Sequence, residues 1–181
     1  FGEGGRRKKG ILKKKPLFSI ITVVYNGEKF LEKTITSVVN QSYKNFEYIV
    51  IDGGSTDKSL DIIKKYEKKI DYWVSEKDNG IYDAFNKGMV ISKGEFIGFI
   101  NSDDIYKKNA LSIISNYIKK NKVVDFIFGS VKKHWGILHG YKPYKIKYSW
   151  GFYSSHSTGF FVKRKVAEKV GFYILSINIM L

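Results

Sequence analysis

The feature that most constrains this chain is an alternation. From Leu17 to Val131, β-branched apolar runs take turns with stretches whose apolar residues recur at helical spacing. The runs predict strands at Leu17–Val24, Phe46–Ile51, Ile70–Ser75, Glu95–Ile100 and Asp125–Val131. Between them, Leu31, Ile35, Val38 and Val39 share one helical face within residues 27–40, and Leu60, Ile63 and Tyr66 share another. Ser55-Thr56-Asp57 reads as the start of that second helix, because short polar side chains can cap free backbone N–H groups. A helix is predicted over Tyr82–Ile91, ended by Gly94, and a further one is marked by Ala110, Leu111, Ile114, Tyr117 and Ile118. Nearly continuous apolar strands suit burial on both faces. The expected fold is therefore α/β, a Rossmann-like, mostly parallel sheet with helices on both sides.

With 181 residues and 43% hydrophobic content, one domain with a real core is expected. Cysteine is absent, which excludes a disulfide framework and a thiolate metal site. The first residue is Phe1, no signal peptide is visible, and the uncharged stretch Val170–Leu181 is too short to span a bilayer. The net charge of +15 is uneven. Residues 1–16 hold seven Lys/Arg and one Glu, residues 17–104 are net −3, and residues 105–181 are net +12. Basic flanks point to an anionic partner or to a lysine-rich solvated surface. Three regions follow: a basic flexible arm over 1–16, a core over 17–131, and an incomplete region over 132–181. In the last, Trp135, Tyr141, Tyr144, Tyr148, Trp150, Phe152 and Tyr153 crowd together, as an acceptor cleft or as aromatic packing at a sheet edge.

Ligands of open parallel sheets bind at the carboxyl ends of the strands. Those ends carry Tyr25-Asn26-Gly27, then Asp52 through Asp57, then Glu76, Asp78, Asn79 and Gly80, then Asn101-Ser102-Asp103-Asp104. Turns favour the same residue types. Carboxylates at three neighbouring ends, however, repel one another unless a cation or bound donors intervene. Hard oxygen ligands suit Mg²⁺ or Mn²⁺, held by one or two carboxylates and substrate phosphates, and such an ion can neutralise a diphosphate leaving group.

Four segments, Phe18–Asn26, Tyr48–Asp57, Ser75–Gly88 and Gly94–Asp104, resemble family 2 glycosyltransferases in order and spacing. The resemblance runs from about Leu17 to Tyr173. It implies a GT-A fold, a nucleotide-sugar donor such as a UDP-sugar, a divalent metal and transfer with inversion to a glycan or lipid-linked acceptor. By position, Val24, Tyr25 and Asn26 would lie against the base, and Asp52 would accept a hydrogen bond from it. Asp57 would cap the next helix. Asp78 and Asp83 would wall the nucleotide and sugar site, with Asn86 and Lys87 nearby. Asn101 and Ser102 would belong to the same site, Asp103 would bind the metal, and Asp104 would support it or touch the sugar.

There are two departures. Asn101 stands where the family's DXD motif begins with an acid. No acid follows Glu168, where the family places its catalytic base, so the chain reads as truncated before that base. His156, just before an apolar strand, is the remaining candidate for the acceptor side; His134 and His139 have no partner pattern. A non-catalytic domain that still holds a nucleotide sugar is the alternative. Nucleic-acid binding would explain the charge but not the carboxylates, so no nucleic-acid partner is expected. The arm's seven cations over Arg6–Lys15 suggest a cytoplasmic protein, peripheral on the anionic inner face of the plasma membrane.

Overall fold

The computed structural model describes residues 2–11, 15–121, 123–133, 136–138 and 157–171. Four parallel strands form its centre: β2 (Phe18–Val24), β3 (Phe46–Asp52), β4 (Tyr72–Ser75) and β5 (Phe96–Asn101). Three outer strands complete the sheet, β1 (Gly2–Gly4), β6 (Phe126–Phe128) and β9 (Phe160–Lys163), in the order β1-β4-β3-β2-β5-β9-β6. β1 and β9 run antiparallel to β4 and β5. A separate hairpin joins β7 (Val131–Lys133) and β8 (Gly136–Leu138).

Alternation along the central strands builds two cores. Phe18, Ile20, Tyr48, Val50 and Ile100 face α1 (Leu31–Val39), α2 (Ser59–Lys65) and α4 (Ala110–Lys120). Ile21, Val23, Ile49, Ile51 and Phe99 face α3 (Ile81–Ile91) and α5 (Arg164–Val170). All seven residues of β2 and of β3 are buried, the polar Ser19, Thr22, Glu47 and Asp52 together with the apolar ones. Burial of each large apolar side chain contributes roughly 1.5–3 kcal/mol, so this double core dominates the fold.

Two expectations need correction. The first is the flexible arm. Gly2–Gly4 pair with Trp73–Ser75, and a 3₁₀ turn at Arg6–Lys9 continues along the edge. Arg6 and Arg7 donate backbone N–H bonds to Ile70 and Asp71. The Arg7 guanidinium is nearly buried, pairs with the Glu47 carboxylate and donates to the Ile91 carbonyl at 2.8 Å. Arg6, Lys8 and Lys9 face Asp71, Glu3 and Glu67. Positive charge here is matched by acids scattered along the sequence, so the segment is part of the sheet. The second is the fifth strand, expected as one run over Asp125–Val131. It divides at Gly129 and Ser130 into β6 and β7, and β6 reaches the sheet through β9.

Candidate functional site

Register brings the strand ends level. Val24 sits beside Asp52, Asp52 beside Ser75, and Val23 beside Asn101. The chain goes from β2 to β3 on one side and returns to β5 on the other, so these ends open on the topological switch point. A cavity of about 930 Å³ lies there. Its walls include Val24, Tyr25, Asn26, Phe30, Asp78 and Asp103.

The loops after β2 and β3 are latched together. Asn26 adopts a left-handed conformation, φ 51°, which Asn tolerates better than most residues. Its side-chain oxygen accepts from Thr56 N at 2.8 Å, and its own N–H donates to Ser55 Oγ at 2.8 Å. Gly27 N donates to Ser59 Oγ, and Glu28 N to Asp57 Oδ2, both at 2.9 Å. Asp57 also accepts from Ser59 N at 2.9 Å, one residue ahead of the N-cap position of α2, Lys58, which itself makes no side-chain cap. Burial works to raise the Asp57 pKa, but the bonds from Ser59 and from the Glu28 and Ser59 amides outweigh it and hold the carboxyl below its ordinary range.

Asp52 is fully buried and is not among the residues lining the cavity. Its carboxylate accepts from Ser55 N, from Ser55 Oγ, and from Ser75 Oγ at 2.6 Å. It therefore anchors the Gly53–Gly54 loop from below and does not present itself to a base. Gly53 lets the Asp78 side chain approach closely: a Cβ there would come 2.5 Å from Asp78 Oδ2 and displace that carboxylate. Asp78 Oδ1 in turn accepts from Gly80 N at 2.9 Å. Gly80, at φ 104°, starts α3 in a region that favours glycine, so Gly80 and Ile81 present the helix N-terminus to the cavity.

Asp83, Asn86 and Lys87 do not line this cavity. They line a separate hollow of about 420 Å³ with Tyr72 and Glu76. The reason is helical periodicity: Ile81 and Ala84 take the cavity face of α3, while positions 83, 86 and 87 share another. Asp83 still shapes the cavity indirectly by accepting from Asn79 N at 3.0 Å. Lys87 bonds Glu76 at 2.9 Å. Burial works to lower the Lys87 pKa, but Glu76, with the charges of Asp83 and Asp78, outweighs it and the net shift is upward.

At the end of β5, Ser102 and Asp103 line the cavity. Asp103 is exposed and bonds no described residue. Asp104 is turned toward a neighbouring groove, and its Oδ2 accepts from Asn101 Nδ2 at 3.0 Å and from Thr158 Oγ1. Asn101 Nδ2 also donates to Ser157 Oγ at 3.1 Å. Asn101 Oδ1 is buried with no hydrogen-bond partner. Asp104 is thus a clasp between β5 and the turn Ser157–Gly159, not the free carboxylate of a reacting group. That clasp, the cavity walls Phe30 and Lys77, and the serines holding Asp52 were missed in the sequence. Only Ser55, three residues from Asp52, gave a local signal. His134, His139, His156, the aromatic run from Tyr141 to Tyr153 and the tail after Gly171 lie outside the described residues.

The profile of glycosyl transferase family 2 matches residues 19–180. The chain belongs to this family. A relative in Bacillus subtilis, the putative teichuronic acid biosynthesis glycosyltransferase TuaG, is 39% identical over 100 residues, 54% of this chain and 40% of its own. The chain spans about half the length of the curated relatives it matches. S. aureus TarS 1–349 in complex with UDP-GlcNAc superposes with a TM-score of 0.64 at 21% identity, covering 84% of this chain and 47% of that 1–349 chain. Mannosyltransferase PcManGT from Pyrobaculum calidifontis, in complex with GDP-Man and Mn²⁺, gives 0.70 at 17% identity, covering 91% and 49%. These two likenesses establish the GT-A fold of this family 2 chain.

Proposed function

We propose that this chain moves a sugar from a nucleoside diphosphate, with UDP preferred, to a hydroxyl of a glycan or lipid-linked acceptor, with inversion and the help of Mg²⁺ or Mn²⁺. The observation that carries this reading is the cavity of about 930 Å³ at the switch point, with Asp103 lining it and bonding no described residue. Val24, Tyr25 and Asn26 wall the base, and the exposed Tyr25 ring offers a stacking surface. The N-terminus of α3 favours the diphosphate electrostatically. The residues present fit a divalent cation: Asp103 supplies charge, and Asn101 Oδ1 is a buried oxygen still lacking a partner. No three acids or histidines cluster among the described residues, which suits an ion completed by substrate phosphates and water. When bound, the metal neutralises charge on the departing diphosphate.

In the transfer, the acceptor oxygen forms a bond to the anomeric carbon from the face opposite the diphosphate. The bond from that carbon to the phosphate oxygen breaks, its electron pair leaves with the nucleotide, and a base takes the hydroxyl proton. Asp104 positions Asn101 and the 157–159 turn for this step. The acceptor-side segment holding His156 is assigned to the proton.

Competition binding tests the donor site. UDP is expected to bind more tightly than ADP or GDP, and absence of any preference would count against the reading. Asp52→Ala is expected to weaken UDP about tenfold, about 1.4 kcal/mol, by loosening the loop that its carboxylate holds through Ser55 and Ser75. Because Asp52 acts through the loop, ADP should weaken as much; loss confined to UDP would return Asp52 to the base itself.

We further propose peripheral attachment to the inner face of the membrane. No helix among the described residues is long and apolar enough to cross a bilayer. Four cations of the basic N-terminal segment already pair with acids, so replacing Lys8, Lys9, Lys13, Lys14 and Lys15 by Gln, which keeps the Arg7 contacts and the edge strand, should leave salt-reversible flotation with anionic vesicles largely intact. Loss of flotation would restore the role to that segment.

A further inference from the structure

Beside the donor cavity lies a groove of about 470 Å³, and Asp103 forms part of both. The groove runs between α4, the end of β5, the β6–β7 connection and the turn Ser157–Gly159. Ile105 and Ile113 line it and are each 60% exposed. Single exposed apolar side chains are ordinary; here two lie together on the wall of one concave groove. Lys107 and Lys132 stand at the same groove, and among the described residues neither pairs with an acid. Its own acids do not cancel them: Asp103 faces the donor cavity as well, and Asp104 is engaged by Asn101 and Thr158.

We propose that this groove seats a lipid-linked acceptor by its carrier: the apolar chain on Ile105 and Ile113, the carrier phosphate between Lys107 and Lys132, and the reacting hydroxyl toward Asp103. This rests on the transferase reading above. Three observations select the ligand class. A bare glycan would leave both isoleucines in water. An inorganic or sugar phosphate would satisfy the lysines but not the apolar wall. An amphipathic phosphate matches both, through charge-assisted contacts at one end and apolar burial at the other. Continuity with the donor cavity meets the remaining demand, because reacting atoms must approach to about 3–3.5 Å.

The test is calorimetry on the full chain with farnesyl phosphate below its aggregation concentration, against farnesol and inorganic phosphate. Farnesyl phosphate is expected to bind at least about tenfold more tightly than either. The paired substitution Lys107→Ala with Lys132→Ala, and separately Ile113→Asp, should each weaken it about tenfold or more. UDP binding with Mn²⁺ is measured in the same samples. Farnesyl phosphate binding unchanged in both variants overturns the proposal. So does inorganic phosphate binding as tightly, which would mean a plain anion patch, or farnesol binding as tightly, which would mean a plain apolar one. Failure of UDP to bind the parent protein strikes the transferase reading instead, whereas retained UDP binding without lysine-dependent farnesyl phosphate binding strikes the groove alone.

Discussion

Asp103→Ala is expected to make nucleoside diphosphate binding indifferent to Mn²⁺ and Mg²⁺. In the parent protein, calorimetry should show UDP binding that tightens with either ion and loosens in EDTA; in the variant, the two conditions should give one affinity. The expectation follows from the side chain's setting. Asp103 is exposed, lines the cavity and bonds no described residue, so its carboxylate has no visible structural task. Its removal should therefore leave the unfolding midpoint unchanged, which separates lost binding from lost folding. Sugar transfer should fall by about 10²-fold or more, the usual cost of removing one group that stabilises developing charge. Equal UDP affinity in the parent with and without metal would sink the assignment.

Arg7→Ala should destabilise the protein by about 3 kcal/mol or more. The Glu47 side chain is 3% exposed and its guanidinium partner 11%, so truncating Arg7 strands a carboxylate in the interior. Ser19 Oγ and the amides of Lys93 and Gly94 would still donate to it, which keeps the cost toward the lower end. Against a typical total stability of about 5–15 kcal/mol, this is a large share. The urea midpoint reads it directly. Removing both partners together, Arg7→Met with Glu47→Gln, should recover part of the loss. Deleting residues 1–10 should lower the midpoint at least as far as Arg7→Ala does. A truncated chain as stable as the parent would show that the segment only rests on the sheet.

The central strands and helices were legible because their signal is local. Phe18–Val24 and Phe46–Asp52 are mostly apolar, broken only by Ser19, Thr22, Glu47 and the terminal Asp52, and Leu31, Ile35 and Val38 repeat at helical spacing. The site was legible as a place, since polar residues at the ends of parallel strands must meet at the switch point. What each side chain does there was less so. Asp83, Asn86 and Lys87 adjoin the right residues in sequence, yet the turn of α3 carries them to another hollow. Asp52 and Asp104 look like available acids until Ser75, from β4, and Thr158, from the turn Ser157–Gly159, arrive from far along the chain to occupy them. The N-terminal cations look solvated for the same reason: Glu47, Glu67 and Asp71 are far along the chain.

The place of β9 has a consequence for how the molecule is made. Among the described residues, β6 reaches the sheet only through β9, and the outer edge of β5 is covered only by β9. A chain still growing on a ribosome can zip β2, β3, β4 and β5 together as they emerge. It must then hold an open edge at β5 and an orphan strand at Phe126–Phe128 until Phe160–Lys163 arrives. Pairings across such long separations form slowly, and unpaired edges invite other chains. The interval between synthesis of β6 and synthesis of β9 is therefore when this protein is most exposed to aggregation, and when a chaperone has most to protect.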